Sequence, residues 1–118
     1  MANLINANAI SGQTLAFQVG ASANTQTLHD GDAVVKLNVI YICNADAADV
    51  TIDIEPLQDG NPSVIGKATL VPAGATFDAF TDVMYLNGSS KQIRITPVSG
   101  QTANCTVMVG YEVIEAGV

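Results

Sequence analysis

The sequence has few basic residues, one histidine, two cysteines and no tryptophan. Four lysine and arginine residues stand against eleven acidic residues, so the 118-residue chain carries a formal net charge of -7. Four cations cannot neutralise a run of phosphates, which argues against sequence-independent nucleic-acid binding. The hydrophobic content of 48% argues against disorder, because disordered chains contain too few apolar residues to form a core. The composition therefore predicts one folded, acidic domain that does not bind nucleic acid.

Long hydrophobic runs are also missing. The longest strictly apolar run, from Val39 to Cys43, is far shorter than the roughly 20 residues that a membrane-spanning helix needs. The first ten residues contain neither a basic residue nor an unbroken apolar core, so they do not resemble a signal peptide. We therefore expect a protein that is made in the cytoplasm and does not enter a membrane.

The residues that catalysis and metal binding usually need are scarce. The single histidine, His29, lies in a polar segment before a turn, where we expect a solvated loop residue. Cys43 and Cys105 lack the spacing of a zinc or redox motif. We interpret them as buried thiols, with a disulfide between neighbouring strands as the alternative. We accordingly predict no enzymatic activity, no cofactor and no metal site.

Four aspartates in predicted loops suggest a calcium site as an alternative to a domain without metal. Asp30 and Asp32 flank a glycine in one turn, and Asp46 and Asp49 lie in a later loop. Carboxylate oxygens on loops at one end of a β-sandwich are ligands that Ca²⁺ prefers. Short Asp/Gly turns also form without an ion, because Asp bonds its own backbone, and we favour that interpretation.

Alternation of apolar and polar residues is the main periodicity, as is typical of half-buried β-strands. Pro56 is expected to end one such strand, and Asn87-Gly88 predicts a two-residue hairpin turn. Residues 76–86 fit either one kinked strand or two short ones. Residues 33–44 form the longest predicted strand, which we expect to be central and covered on both sides. Its two predicted faces are Leu37, Val39, Tyr41 and Cys43 on one side, and Ile40 and Ile42 on the other.

Seven to eight strands with turns between them, and no convincing amphipathic helix, predict an all-β domain. We expect an antiparallel β-sandwich of Ig-like or jelly-roll topology that covers residues 13–114. Residues 1–12 lack a strand period and are predicted to form an extended N-terminal arm. Residues 115–118 are predicted to form a C-terminal tail.

The predicted partner-binding residues lie in the arm and near the C-terminus. Leu4, Ile5 and Ile10 are apolar residues in an otherwise polar arm. Glu112 and Glu115 carry negative charge that suits docking on a basic or polar protein surface. These five residues are the ones that we expect to contact another protein.

A series of strand and turn motifs runs from Ile40 towards the C-terminus. It contains Ile-Tyr-Ile-Cys-Asn at 40–44, Val-Thr-Ile-Asp-Ile at 50–54, Val-Pro-Ala-Gly at 71–74 and Gly-Tyr-Glu-Val-Ile at 110–114. In these motifs the chain resembles small β-sandwich structural proteins from the virions of tailed bacteriophages. The resemblance implies a protein located in the virion that binds the major capsid protein or other virion proteins. It implies no catalytic residues.

We therefore predict a non-enzymatic capsid decoration (cement) protein that stabilises the shell by bridging major capsid subunits, and that forms a homo-oligomer. The first alternative is a head-tail connector, tail or fibre component. The second alternative, from a different class, is a calcium-assisted carbohydrate-binding or adhesion module.

Overall fold

The structure is a computed structural model that describes residues 9–63, 65–79, 83–98 and 101–115. These ranges contain ten β-strands and no helix, and therefore no helix that is able to cross a membrane. In chain order the strands are β1 (Ala9–Val19), β2 (Asn24–Asp30), β3 (Val34–Asn44), β4 (Val50–Gln58), β5 (Asn61–Pro62), β6 (Gly66–Val71), β7 (Thr76–Asp78), β8 (Met84–Leu86), β9 (Ser90–Pro97) and β10 (Cys105–Glu115).

The strands form two antiparallel sheets that pack face to face. Sheet I has the order β1-β10-β3, and the short strands β7 and β8 both pair with β3. Sheet II has the order β2-β9-β4, and β5 and β6 both pair with β4. Each sheet therefore has four strand positions, and this order of eight positions is that of a jelly roll. The predicted all-β antiparallel sandwich is confirmed, with jelly-roll rather than Ig-like topology.

The strand count exceeds the predicted seven to eight because two strand positions are divided. β7 and β8 lie along different parts of β3, which confirms the two-strand alternative for residues 76–86. β5 and β6 divide the fourth position of sheet II in the same way. In addition, residues 24–30, which are polar except for Leu28, form β2, so His29 lies in a strand and not in the predicted loop.

The core lies between the sheets and consists mainly of β-branched and leucine side chains. Burying one Val, Leu or Ile side chain stabilises a fold by roughly 1.5–3 kcal/mol, so these alternating positions supply most of the driving force. Sheet I contributes Phe17, Val19, Val35, Leu37, Ile40, Ile42, Val107 and Val109, and sheet II contributes Leu28, Val50, Ile52, Ile54, Val71, Ile93 and Ile95.

A β-bulge in β3 changes which of its residues face the core. Tyr111 pairs with Leu37 and Gly110 pairs with Val39, so Asn38 is an extra residue without a partner in β10. Leu37 and Ile40 are both fully buried on the inner face, whereas Tyr41 is exposed. The predicted division of β3 was therefore wrong for Leu37, because one inserted residue reverses the alternation beyond it. The strand is central in its sheet, but its outer face is not covered at Tyr41.

Two predicted turns differ from the structure. β4 continues through Pro56, whose carbonyl oxygen accepts a hydrogen bond from the Ser63 N–H (2.8 Å). The Pro56 nitrogen points to that same side, away from β9, so its missing N–H removes no bond to β9. Asn87-Gly88 does not close a hairpin, because β8 belongs to sheet I and β9 to sheet II. Gly88 has a φ of 93°, and the chain crosses between the sheets there.

Strand β1 begins at Ala9, before the predicted domain boundary at residue 13. Ala9 pairs with Glu115 and Gly12 with Glu112, so residues 9–12 of the predicted arm are part of β1. Residues 9–12 show no alternation of apolar and polar residues, so the sequence did not reveal this part of β1, which is defined by its pairing with β10. Residues 1–8 and 116–118 lie outside the described ranges.

Candidate interaction surface

The β1 strand lies at the edge of sheet I and pairs only with β10 within the described ranges. The Gln18 carbonyl oxygen accepts a hydrogen bond from Asn24 Nδ2 (2.6 Å), so it points away from β10. Backbone groups alternate in direction along an antiparallel strand, so those of Ala16, Thr14 and Gly12 point the same way. An edge of this kind is able to accept a further strand from another chain.

The five predicted partner-binding residues divide into two groups. Ile10, Glu112 and Glu115 lie together at one end of the β1–β10 pair, where Ile10 pairs with Ile114 and Ala9 with Glu115. Leu4 and Ile5 lie outside the described residues. The structure thus brings the β1 start and both glutamates to one end of sheet I.

Glu112 is held by contacts within the chain. Its Oε1 atom accepts a hydrogen bond from Asn38 Nδ2 (2.9 Å), and it lies 3.8 Å from the Lys36 Nζ atom. Both charged side chains remain about 30% exposed, at 28% for Lys36 and 30% for Glu112. Glu112 is therefore half of an accessible ion pair rather than a free anion.

Glu115 lines a cavity of about 280 Å³ together with His29, Asp32 and Ala33. His29 is the register partner of Lys91 in the neighbouring strand β9. In the part of the chain that the structure describes, no three His, Cys, Asp or Glu residues are placed to hold a metal ion. Among the described residues, this cavity is therefore a charged recess without a metal-binding cluster.

The outer side of sheet I carries an apolar surface, here called the apolar face. Ala16 of β1, Met108 of β10 and Tyr41 of β3 are consecutive register partners across the sheet. Tyr85 of β8 lies beside Lys36 on the same side. Tyr41, Met108 and Tyr85 are 44%, 45% and 40% exposed. Tyr41 and Met108 also border a groove of about 290 Å³.

The apolar face was not predicted from the sequence. A pattern was available, because Met108 occupies a position in β10 where the alternation calls for a polar residue. Tyr41 was placed in a covered face because the bulge at Asn38 was not foreseen. Tyr85 lies in a short strand whose orientation depends on its pairing with β3.

The outer side of sheet II has a different character. Arg94 of β9 donates from Nη2 to Glu55 Oε2 of β4 over 3.0 Å, and Lys67 Nζ lies 3.1 Å from Asp53 Oδ2. Threonine and glutamine side chains occupy neighbouring positions on β2 and β9. Ion pairs and small polar groups are typical of a surface that stays in water, so the two sides of the sandwich are chemically distinct.

The aspartates of the calcium alternative do not meet. Asp30 and Asp32 precede β3, whereas Asp46 and Asp49 follow it, so the two pairs lie at opposite ends of an 11-residue strand. Asp46 Oδ1 accepts the Ala47 N–H (2.7 Å), and Asp49 Oδ1 accepts the Ala73 N–H (2.9 Å). The Asp46 bond is the local backbone interaction expected of an aspartate in a loop, whereas the Asp49 bond joins its loop to the turn at Ala73.

The two cysteines lie on adjacent strands but face opposite sides of sheet I. Cys43 pairs with Thr106, and Cys105 pairs with Asn44. Cys105 is fully buried in the core, and that burial raises the pKa of its thiol. Cys43 lies on the outer side beside Met108. Both are free thiols, and their opposite directions do not suit a disulfide within one chain.

Lys91 is a fully buried lysine near the Gly31 turn. Its ammonium group donates hydrogen bonds to the carbonyl oxygens of Gly31 and Gly88, the latter over 2.9 Å. Burial lowers the pKa of Lys91, and the nearby carboxylates of Asp59, Asp32 and Asp30 oppose that shift. Lys91 thus connects the Gly31 and Gly88 turns at one end of the sandwich.

No protein-family model matches the sequence, and no curated protein matches it. Solved structures with a similar fold include the Drosophila NLP core, described with pentamer formation and histone binding, at 13% identity and a TM-score of 0.54. That match covers 90% of this chain and 99% of the other. At this identity the likeness shows the fold alone.

Two further structures are similar at lower TM-scores. A protein of Bacillus endospore appendages, described as disulfide-linked pili, has 15% identity and a TM-score of 0.46, with coverage of 92% of this chain and 89% of the other. A chain of the T13 IBDV viral particle has 10% identity and a TM-score of 0.47. The latter match covers 95% of this chain but 37% of the viral chain.

Proposed function

We propose that the protein is a non-enzymatic structural component of a phage virion, and that it decorates the capsid by binding neighbouring major capsid subunits. The observation that carries this proposal is the free edge of β1. This 11-residue strand has one unpaired side in the described ranges, and residues 1–8 precede it in the sequence. A strand or arm exchanged at that edge would bind a partner through backbone hydrogen bonds.

The chemistry of the remaining surface supports a binding role. The chain has a net charge of -7, and the outer side of sheet II carries ion pairs and small polar groups. Such a surface favours solubility at the high local concentration of a shell-bound protein. Jelly rolls occur in viral capsid domains, although the same fold serves other functions as well. The sequence resemblance to phage virion proteins provides the choice of partner.

Copy number tests the proposed location. Quantitative mass spectrometry of purified particles from the source should find copies comparable in number to the major capsid subunits. Far fewer copies per particle would overturn decoration in favour of a neck or tail component. Absence from the particles would overturn a virion role altogether.

The proposed contact is tested by adding purified protein to undecorated shells and measuring co-sedimentation. Deleting residues 1–8 should abolish binding while the circular dichroism spectrum is kept. Thr14→Pro should also block binding, because it removes an N–H at the free edge while it leaves the β10 side intact.

Leu70→Glu is the matched control, since it changes an exposed residue of sheet II and should leave binding unchanged. Full occupancy by both the deletion and Thr14→Pro variants would overturn the role assigned to β1.

A further inference from the structure

The apolar face is separate from the β1 edge and is not used by the proposed shell contact. We propose that it packs against the same face of a second copy of this chain, with a twofold axis parallel to the strands and between β10 and β3. This inference does not rest on the virion assignment. A self-complementary face is required for a symmetric dimer, because the same patch appears on both sides.

Charge complementarity supports this axis. Gly12, Glu112, Lys36 and Tyr85 form one row across β1, β10, β3 and β8. Rotation about the axis places Glu112 over Lys36 of the second copy, and Lys36 over Glu112 of the second copy. The ion pair within each chain thereby becomes a four-charge cluster of alternating sign. Opposite charges that face each other across an interface favour this register over others.

Shape complementarity follows from the same rotation. In the row above, the large side chain of Tyr85 is placed over Gly12 of the second copy. A Cβ atom at Gly12 would meet nothing within 4 Å, so there is room for a ring. In the row Ala16, Met108, Tyr41 and Asp78, Met108 is placed over Tyr41 of the second copy. Contacts between a methionine sulfur and an aromatic ring are favourable.

The size of the face is sufficient for a dimer. Four strand positions at standard spacing and about eight residues along each strand give a face of no more than roughly 19 by 26 Å, because Val34 and Ile114 at one end of the sheet are buried. Two such faces in contact bury roughly 1,000 Å² in total, which is the lower limit expected of a specific interface. Two sheets that pack face to face also keep the usual sandwich geometry.

The distribution of charge also favours this contact between like-charged molecules. The chain as a whole carries a net charge of -7, which opposes association through most of its surface. On the outer positions of sheet I, the described charged residues are Lys36, Glu112 and Asp78, and Lys36 Nζ lies 3.8 Å from Glu112 Oε1. The apolar face is therefore the side on which two copies approach with little repulsion.

The oligomeric state provides the first test. Sedimentation velocity and native mass spectrometry should show a dimer of the full-length protein at micromolar concentration. Met108→Glu and Tyr41→Glu should each raise the dimer dissociation constant at least tenfold, because each buries an unpaired carboxylate from both copies in the apolar contact. Both residues are exposed in one chain, so folding should be kept.

Leu70→Glu is the matched control, since Leu70 is a similarly exposed apolar residue, at 54%, in sheet II. It should leave the dimer unchanged. A monomer throughout, or an oligomer that survives both apolar-face substitutions, would overturn the proposal.

A zero-length carbodiimide cross-link provides the second test. An equal mixture of ¹⁵N-labelled and unlabelled protein is allowed to exchange and is then cross-linked. The Lys36–Glu112 peptide should appear in mixed-isotope form, which only a bond between two chains produces. Exclusively unmixed peptides would place the ion pair within single chains and contradict the twofold axis. Loss of shell binding with an intact dimer would separate failure of the proposed function from failure of this inference.

Discussion

The Tyr111 hydroxyl group in β10 donates a hydrogen bond to the Leu28 carbonyl oxygen in β2 over 3.1 Å. This bond joins sheet I to sheet II in the interior. Leu28 has no register partner in β9, because the register shifts between Thr27 and His29. The bulge in β2 thus leaves a carbonyl group that the hydroxyl of the opposite sheet satisfies.

Removing this hydroxyl should destabilise the sandwich. Tyr111→Phe should lower the free energy of unfolding at pH 7 by about 1–2 kcal/mol, since the Leu28 carbonyl group loses its buried donor. Tyr85→Phe is the matched control, because Tyr85 is exposed. Urea unfolding followed by circular dichroism measures the difference. Equal stability of the two variants would show that the hydrogen bond contributes nothing.

The same tyrosine gives a prediction for alkaline pH. Burial raises the pKa of Tyr111, so its protonated form is favoured in the folded state. The stabilisation is complete below the unfolded-state pKa of about 10 and is lost as the pH rises through the higher pKa of the folded state. The stability difference between wild type and Tyr111→Phe should therefore shrink above about pH 10. A stability difference that stays constant up to pH 12 would contradict this prediction.

Lys91 should be more important for stability than its residue type suggests. Lys91→Met should lower the free energy of unfolding by about 2 kcal/mol or more, because two carbonyl oxygens of turns lose a charged donor. Lys67→Met, at a side chain that is 76% exposed, should change it by about 1 kcal/mol or less. Chemical denaturation of both variants measures this contrast. Equal effects would contradict the role of Lys91 in joining the Gly31 and Gly88 turns.

Asp53 should contribute to stability in a pH-dependent way. The backbone N–H of Ala68 and then the Lys67 ammonium lower the pKa of Asp53. Its contribution to stability is therefore present above the unfolded-state pKa of about 3.9 and is lost as the pH falls through the lower pKa of the folded state. Asp53→Asn should cost about 1 kcal/mol or less at pH 7 and nothing at low pH.

Thermal unfolding between pH 2 and 7 measures this change, and Glu115→Gln is the control at an exposed carboxylate. If the cost of Asp53→Asn stayed the same down to pH 2, the carboxylate charge would not be its origin.

Ala68 has a backbone conformation that favours glycine. Its φ of 48° lies in the left-handed region, where a Cβ atom costs roughly 1–2 kcal/mol. Ala68→Gly should therefore raise the free energy of unfolding by up to about 1 kcal/mol, after the greater entropy of the unfolded glycine chain is included. Ala73→Gly, in a turn with ordinary φ, should lower it instead. A loss of stability in both variants would contradict this strain.

The fold class could be predicted from the sequence because side-chain alternation depends on neighbouring residues in the chain. The same periodicity places Lys91 on the side of Ile93 and Ile95, but the burial of Lys91 was not predicted. The β2 strand was missed because its polar residues show no apolar alternation. The N-terminal boundary was missed for a similar reason, since pairing with β10 defines residues 9–12.

The sequence by itself determined that the apolar side chains at alternate positions of its strands must be buried between two sheets. It also determined the acidic charge and the scarcity of catalytic side chains. Only the tertiary structure decided the jelly-roll order, the direction of Cys43 and Cys105, and the exposure of Tyr41. Those features depend on register between distant strands, and the inserted residue Asn38 changes the register of β3 against β10. One extra residue in a strand reverses every following side chain, and no local pattern in this sequence marked it.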